Sequence, residues 1–278
     1  MRRREFLALG AMATVAARLP ASETPASPAI LRRAHSHNDY NRPRPLLDAL
    51  DNGFCSVEAD VFAVDGELLV GHDRHELASN RTLRAMYLEP LLARARGRGA
   101  IHEPGDGFQL LVDFKSGAGE TLAALRPLLA EFRPILARVE GGGIVPGPVT
   151  VIISGKRPVD ELRAATSRLA FLDGRLLDLD GDAGADLFPM VSAPFSEASS
   201  WKGLGPMSAA TRDAICGHLA RARSRGMKLR YWGASPLVEV HPGFHATGID
   251  WIGSDTPAAL REAFARPARD GTGTGGCC

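Results

Sequence analysis

Short apolar runs typical of β-strands alternate along this chain with stretches whose apolar residues recur at helical spacing. This alternation is typical of β-α units, whose strands pair in parallel within one sheet. Eight such strands in 278 residues predict an α/β fold, a single-domain (β/α)8 or TIM barrel, which usually takes about 250 residues. The predicted strands are Ile30–His37, Ser56–Phe62, Gln109–Lys115, Val149–Ser154, Ala170–Leu172, Met190–Ala193, Lys228–Trp232 and Trp251–Ser254.

Helical patterns lie between most of the predicted strands. The connection after the fifth strand, through Asp178–Asp182, is weak, and Leu237–Ala246 is short and interrupted by Pro242. An open doubly wound sheet is the competing architecture, but no glycine-rich phosphate turn follows the first strand. The predicted helices are Pro45–Asn52, Thr82–Arg96, Glu120–Leu136, Val159–Arg168, Ala209–Arg225 and Pro257–Phe264.

Composition excludes several classes of protein. The 33 basic and 32 acidic side chains nearly balance, so the charge gives no indication of a nucleic-acid partner. No apolar run reaches the roughly 18 residues that a transmembrane helix needs. The four cysteines form no CxxC pair, which argues against a structural zinc site or a disulfide framework.

The most informative pattern is a pair of polar residues at positions i and i+2 near the end of four predicted strands. Side chains two apart on a strand face the same way. Ionisable pairs would be costly in the packed middle of a barrel, but the carboxyl-terminal mouth is where barrel active sites lie. The four pairs are His35/His37, Glu58/Asp60, Asp113/Lys115 and Arg230/Trp232.

The acidic members of these pairs predict a metal site. Glu58, Asp60 and Asp113 gathered around one point would repel one another unless a cation neutralised them. Ligands that are all oxygen favour Mg²⁺ or Ca²⁺ over zinc. The simpler alternatives are ion pairs: the first two acids with Arg32 or Arg33, and Lys115 with Asp113.

Two histidines bracket the acidic pair in the sequence and are candidates for acid–base catalysis. His37 and His72 beside a divalent cation could act as general base and general acid near neutral pH. Asp39 and Asp73 are each close enough in sequence to orient an imidazole. No comparable acidic pair accompanies the other five histidines, His75, His102, His218, His241 and His245.

Both ends of the chain differ from the rest. Residues 1–26 contain Arg2, Arg3 and Arg4 before a short apolar stretch and small residues, which is typical of an export signal of the twin-arginine type. A basic amphipathic helix is the alternative. The signal predicts a protein exported to the periplasm or the extracellular space. Residues 27–268 then form the barrel, and the glycine-rich residues 269–278 form a flexible tail.

Several of these motifs resemble the superfamily of phosphatidylinositol-specific phospholipase C and glycerophosphodiester phosphodiesterase. The closest likeness is to the branch of "altered inheritance of mitochondria protein six", and it runs from about residue 30 to about residue 264. The signatures His-Arg-Gly and Glu-Asn-Thr of the glycerophosphodiester branch are missing. The stretches that carry the resemblance are His35–Tyr40, Pro45–Leu50, Gly53–Val61, Gly66–Asp73, Leu110–Ser116, Val191–Ala193, Trp201–Gly203, Leu229–Gly233 and Gly248–Pro257.

The resemblance implies a barrel that breaks a phosphodiester bond with a bound divalent cation. The acid–base roles of the family would fall on His72 and on His37, or on His35 in its place. The metal carboxylates would be Glu58, Asp60 and Asp113. Contacts to the substrate would correspond to Lys115, Arg230 and Trp232.

We therefore predict a metal-dependent phosphoric diester hydrolase, or phosphorus–oxygen lyase, that acts on a lipid or a lipid-derived phosphodiester. Loop residues such as Trp201 or Phe195 could touch a membrane surface transiently. An amidohydrolase-type or histidinol-phosphatase-type metal enzyme would also begin with His-x-His, as in His35/His37, but needs further nitrogen ligands from the middle strands. A barrel that only binds a phosphorylated ligand is the third reading.

Overall fold

The computed structural model describes residues 29–266, which form the predicted barrel. Eight parallel strands follow the order β1-β2-β4-β7-β8-β9-β10-β11, and the sheet closes because β1 pairs with both β2 and β11. The strands are β1 (Leu31–Ser36), β2 (Phe54–Val64), β3 (Glu67–Val70), β4 (Phe108–Phe114), β5 (Arg138–Glu140), β6 (Gly143–Val145), β7 (Val149–Gly155), β8 (Phe171–Gly174), β9 (Met190–Pro194), β10 (Lys228–Trp232) and β11 (Trp251–Ser254).

Helices follow most of the barrel strands, as predicted. The second predicted helix starts late, because a π-helical turn (Arg84–Leu88) precedes it. The weak connection after β8 forms a 3₁₀ turn, Leu176–Asp180, in place of an α-helix. The helices are α1 (Leu47–Asp51), α2 (Glu89–Arg98), α3 (Ala118–Glu131), α4 (Val159–Ala164), α5 (Ala209–Ser224), α6 (Pro236–Glu239), α7 (Pro242–Ala246) and α8 (Pro257–Ala265).

Three strands lie outside the predicted set. Strands β5 and β6 form a small antiparallel hairpin before β7. Strand β3 pairs antiparallel with the end of β2, and the turn between them places Asp65 and Gly66 at positive φ. The β2–β3 hairpin turns the chain back toward the barrel mouth, and the Gly71 amide after β3 donates to the Asp60 carbonyl at 3.2 Å. His72 is thereby brought above the acidic strand.

The apolar core lies in two layers. Inside the barrel, toward the starts of the strands, the buried residues include Leu111, Ile152, Phe171 and Trp251. A larger layer between the strands and the helices is also closely packed. Burial of this kind contributes about 25 cal/mol for each square ångström of apolar surface removed from water. The polar pairs therefore lie above a layer of buried apolar side chains.

The predicted signal of residues 1–26 lies outside the residues that the structure describes, as do residues 269–278 of the predicted tail. Between residues 29 and 266, no helix combines the length and the apolar character needed to cross a membrane.

Candidate active site

Strand register brings the three predicted metal carboxylates together. Asp60 on β2 is the direct neighbour of Asp113 on β4 in the parallel ladder. Glu58 lies two residues before Asp60 and so faces the same way. Oxygen atoms of the three carboxylates all lie within 4.8 Å of one another. Polar side chains of β2, β4 and β10, together with His37 just after β1, thus meet at the mouth of the barrel.

Glu58 is the buried, firmly held member of the group. Its Oε2 accepts hydrogen bonds from His35 Nε2 and from Arg230 Nη2, each at 3.3 Å. Burial alone would raise the pKa of this carboxyl, but the charge of Arg230 and the hydrogen bond from His35 lower it well below its usual value. These two neighbours therefore favour the ionised form of Glu58.

Asp60 is the most connected group of the site. Its Oδ2 accepts from the Tyr40 hydroxyl at 2.7 Å, from Lys115 Nζ at 3.0 Å and from His72 Nδ1 at 3.0 Å. Its Oδ1 is buried and has no hydrogen-bond partner. Burial and the neighbouring Glu58 carboxylate raise the pKa of Asp60. Oδ2 of Asp60 is thus engaged by three protein groups, whereas its Oδ1 has lone pairs available for a ligand.

Asp113 completes the group. Lys115 Nζ lies 3.2 Å from Asp113 Oδ1 and spans the gap to Asp60. Burial, helped by the two other acids, raises the pKa of Asp113 although Lys115 opposes the shift. The ion pair considered for Lys115 is therefore present, and it includes both aspartates.

This donor set fits a hard divalent cation. The alternative ion pairs with Arg32 and Arg33 are absent from the site, since Arg32 bonds to Asp106 and Arg33 bonds to backbone carbonyls. The orphaned Asp60 Oδ1 is a buried acceptor, and a buried polar atom without a partner costs about 1–3 kcal/mol. All available ligand atoms are carboxylate oxygens, the type that Mg²⁺ and Ca²⁺ take.

The two candidate catalytic histidines are each held through Nδ1 by a carboxylate. His72 Nδ1 lies 3.0 Å from Asp60 Oδ2, and His37 Nδ1 lies 3.0 Å from Asp255 Oδ1. Burial alone would lower the pKa of His37, but the hydrogen bond to Asp255 and the charge of Glu58 raise it. A carboxylate on Nδ1 fixes the ring, so that Nε2 is the nitrogen available for proton transfer. His37 Nε2 lies 3.8 Å from Glu58 Oε2.

The predicted orienting groups are wrong. Asp39 is fully buried away from both imidazoles, where its carboxylate accepts from Ser36 Oγ, the Leu46 amide and the Tyr87 hydroxyl. Asp73 lies in the exposed turn after His72. The prediction relied on proximity in sequence, but the partners are distant along the chain. Asp60 lies 12 residues from His72, and Asp255 lies 218 residues from His37.

His35 does not reach the cavity, which corrects its candidacy as a catalytic residue. It is completely buried one layer below His37, with Nδ1 on Ser56 Oγ at 2.7 Å and Nε2 on Glu58. Burial lowers its pKa to about 4. A neutral imidazole with both nitrogens engaged can position Glu58 but cannot exchange protons with a substrate.

The predicted substrate contacts line a cavity of about 340 Å³ at the barrel mouth. Arg230 is buried in its wall, and Trp232 is half-exposed at its edge. The cavity also contacts residues that the sequence reasoning missed. These are Asn38, Ser154, Asp173 and Arg175.

Asp173 and Arg175 repeat the i, i+2 pattern of the other strand ends. Asp173 is buried, its Oδ2 accepts from Ser154 Oγ and Arg175 Nη1, and its Oδ1 has no partner. The sequence contains the same signal here, but the predicted strand ends at Leu172, whereas β8 continues to Gly174. The cavity therefore offers an acceptor and a cation on the wall formed by β8, in addition to the three carboxylates.

Glu239 of α6 borders a smaller cavity of about 70 Å³ beside His37 and Asp255. Burial, reinforced by the charge of Asp255, raises the pKa of Glu239 to about 7. Because the folded state then binds this proton more tightly than the unfolded chain, stability is lost as the pH rises from about 4.5 to about 7. Glu239→Gln should lack this part of the loss, which is at most about 1.4 kcal/mol for each pH unit.

Urea unfolding of wild type and Glu239→Gln below and above this pH range measures the effect. We expect the variant to gain stability relative to wild type as the pH rises. Parallel curves for the two proteins would mean that Glu239 titrates normally.

The chain is similar to curated fungal proteins over most of its length. It is 30% identical over 231 residues to "Altered inheritance of mitochondria protein 6 homolog" of Arthroderma benhamiae, which covers 71% of each chain. It is 29% identical over 266 residues to "Altered inheritance of mitochondria protein 6" of Eremothecium gossypii, covering 81% of this chain and 68% of that protein.

A solved structure shares the fold. The crystal structure of glycerophosphodiester phosphodiesterase from Agrobacterium tumefaciens superposes with a TM-score of 0.50 and 16% sequence identity, covering 85% of this chain and 100% of that chain. The TIM-barrel fold predicted from the alternation of strands and helices is confirmed.

The predicted export by the twin-arginine route is wrong. The curated relatives are eukaryotic proteins from fungi, named for altered inheritance of mitochondria. Twin-arginine signals direct export in bacteria. The arginine-rich start was therefore misinterpreted as an address to the periplasm or the extracellular space.

A family model matches residues 28–173, the part that contains the three carboxylates, the candidate histidines His37 and His72, and Lys115. The predicted resemblance is confirmed by this match and by the curated relatives. The chain belongs to the family described as the AIM6-like phosphodiesterase domain.

Proposed function

We propose that this protein is a metal-dependent phosphodiesterase that cleaves a lipid or lipid-derived phosphodiester by acid–base catalysis with His37 and His72. One observation carries the proposal. Three carboxylates with oxygens within 4.8 Å of one another lie between two histidines, each held by a carboxylate on Nδ1. Such an arrangement provides both a cation site and a pair of proton-transfer groups.

Glu58, Asp60 and Asp113 would hold Mg²⁺ or Ca²⁺. The bound cation supplies positive charge that stabilises the negative charge developing on the phosphoryl oxygens. Arg230, buried beside Glu58, adds a second fixed positive charge to the same wall. Lys115 adds a third, because its ammonium faces the cavity between the two aspartates.

The histidines transfer the protons. One imidazole accepts the proton of the nucleophile, which is water or a hydroxyl of the substrate. The other imidazole protonates the departing oxygen. Because Asp255 and Asp60 each hold Nδ1, the proton moves at Nε2 in both rings.

The substrate occupies the cavity of about 340 Å³. Trp232 offers an exposed aromatic face at its edge, and Ser154, Asp173 and Arg175 offer hydrogen bonds on the far wall. A headgroup with hydroxyls suits this wall, because it carries both a donor and a buried acceptor oxygen without a partner. A substrate of this kind has a phosphodiester and a polar headgroup.

The amidohydrolase-type alternative is not favoured by the cavity. An enzyme of that class needs further nitrogen ligands from its middle strands. In this protein the middle strands β7 and β8 contribute Ser154 and Asp173 to the cavity instead. His35, half of the His-x-His pair, is buried below the barrel mouth. In the described residues the cavity is lined by only two imidazoles, His37 and His72.

The test is hydrolysis of a soluble aryl phosphodiester by the purified chain with and without chelator. We expect activity that chelation lowers and added Mg²⁺ or Ca²⁺ restores. Phosphorus NMR over a panel of phospholipids and headgroup diesters then identifies the substrate, and it separates a cyclic phosphate from a phosphomonoester product. Ligand binding without any chelator-sensitive turnover would instead support a barrel that only binds phosphorylated molecules.

A further inference from the structure

The hydroxyl of Tyr40 lies against one of the two candidate catalytic histidines. The Tyr40 side chain is buried, and its oxygen is 3.1 Å from His72 Nδ1. The same oxygen is 2.7 Å from Asp60 Oδ2, the atom that holds the His72 ring, and 2.8 Å from Asn38 Oδ1. Since a hydroxyl has one proton to donate, the two acceptors share a single donor. Tyr40 therefore connects Asn38 to the group around His72.

The amide of Asn38 lies against the other candidate histidine. Its Nδ2 is 3.1 Å from His37 Nδ1 and donates to Asp255 Oδ1 at 3.3 Å. Asp255 is the carboxylate that holds His37, 3.0 Å from its Nδ1. An amide turned the other way would place its oxygen against this carboxylate, so the contact with Asp255 directs Oδ1 toward Tyr40.

The backbone places both side chains. Asn38 has a φ of 48° and a ψ of 42°, the left-handed conformation that asparagine tolerates better than most residues. This residue begins the 3₁₀ turn Asp39–Asn41, on which Tyr40 lies. The turn is fixed from below, because the buried Asp39 carboxylate accepts three hydrogen bonds. Asn38 and Tyr40 are therefore held between the two imidazoles.

We propose that Asn38 and Tyr40 are positioning residues that join His37 and His72 into one hydrogen-bonded unit. The inference rests on the proposed function, in which one imidazole accepts a proton and the other donates one. Such a pair works only at a fixed separation and orientation of the two rings. The bridge formed by Asn38 and Tyr40 reaches each ring on its Nδ1 side, where a carboxylate also holds it.

Nitrogen NMR of the imidazoles in the metal-free protein, at one pH, tests the bridge without relying on turnover. Tyr40→Phe removes the hydroxyl and keeps the ring. We expect it to shift the Nδ1 resonances of both His72 and His37, because the loss reaches His37 through Asn38. A shift of His72 alone would show that Tyr40 acts only on its direct neighbours and would overturn the bridge.

Tyr231→Phe is the matched control. Tyr231 is also buried, and its hydroxyl lies 2.8 Å from Nδ1 of a histidine outside the site, His218. This variant should shift the His218 resonance and leave those of His37 and His72 in place.

Kinetics on a soluble aryl phosphodiester give a second test. We expect Tyr40→Phe and Asn38→Gly each to lower kcat about tenfold, the equivalent of one hydrogen bond. Glycine accepts the left-handed backbone, so Asn38→Gly removes only the amide. Asp65→Gly is its control, because Asp65 has a φ of 50° in an exposed turn, and this variant should keep the wild-type kcat.

The decisive combination is Asn38→Gly with His72→Ala. Asn38 does not contact His72, so a purely local role at His37 predicts that the two losses multiply. The bridge predicts instead that Asn38→Gly costs nothing further once the second imidazole is gone.

The two tests separate this inference from the proposed function. Multiplying losses, in a protein whose turnover is sensitive to chelator, would overturn the bridge and leave the phosphodiesterase standing. The expected shifts of both imidazoles, in a protein without chelator-sensitive turnover, would support the bridge and overturn the proposed function.

Discussion

His72→Ala is expected to lower kcat/KM for a phosphodiester by about 10²–10⁴-fold, the contribution typical of one general acid or base. The imidazole is held by Asp60 Oδ2 at 3.0 Å, and Tyr40 lies 3.1 Å from the same nitrogen. Removing the ring removes a proton-transfer group but leaves the carboxylates in place. Steady-state kinetics on a soluble aryl phosphodiester measures the loss.

The matched control is His75→Ala. His75 is exposed in the turn Arg74–Glu76, just after His72, and it contacts none of the candidate groups. Its variant should retain the wild-type rate. We expect His37→Ala to resemble His72→Ala, and each change should remove one limb of the pH–rate profile. Near-normal turnover in both variants would remove the two histidines from the mechanism.

Asp60→Asn is expected to weaken the binding of Mg²⁺ or Ca²⁺ by more than about 100-fold, since even residues behind the ligands cost 10–100-fold. The substitution removes the negative charge from the group that Glu58 and Asp113 complete. The rate should fall at least in parallel, because Asp60 also holds His72 and Lys115. Calorimetric titration of the metal-free protein with the cation measures affinity without relying on turnover.

Asp106→Asn is the control for this experiment. Asp106 is paired with Arg32 at the opposite end of the barrel, so its change alters the net charge equally and leaves the site untouched. It should bind the cation like wild type. Thermal unfolding of both variants checks that they fold. If Asp60→Asn folds and binds the cation as tightly as wild type, the three carboxylates do not form the cation site.

The sequence was sufficient to predict the barrel and the acidic group. Glu58, Asp60 and Asp113 were recognisable because charged residues ended strands that are otherwise apolar. In a parallel ladder the register follows from the closing of the barrel, and it places Asp60 beside Asp113. At Glu58, Asp60 and Asp113 the strand pattern read from the sequence therefore leads to the same arrangement as the barrel.

Other parts of the site depend on contacts that no local pattern reveals. His35 and His37 are both histidines at the end of the first strand, and the sequence alone does not show which of them reaches the cavity. In the structure His35 is completely buried, whereas His37 lines the cavity. Asp255 meets His37 from the far end of the chain. The β3 strand that precedes His72 lies outside the predicted strands, because its four residues are too few for a clear pattern.

Lys115 has a consequence for how the protein is assembled. Its ammonium contacts both aspartates at 3.0 and 3.2 Å, so the protein itself supplies a positive charge between two of the three acids. We therefore expect the chain to fold before a divalent ion binds, so that the metal-free protein can be titrated with the cation.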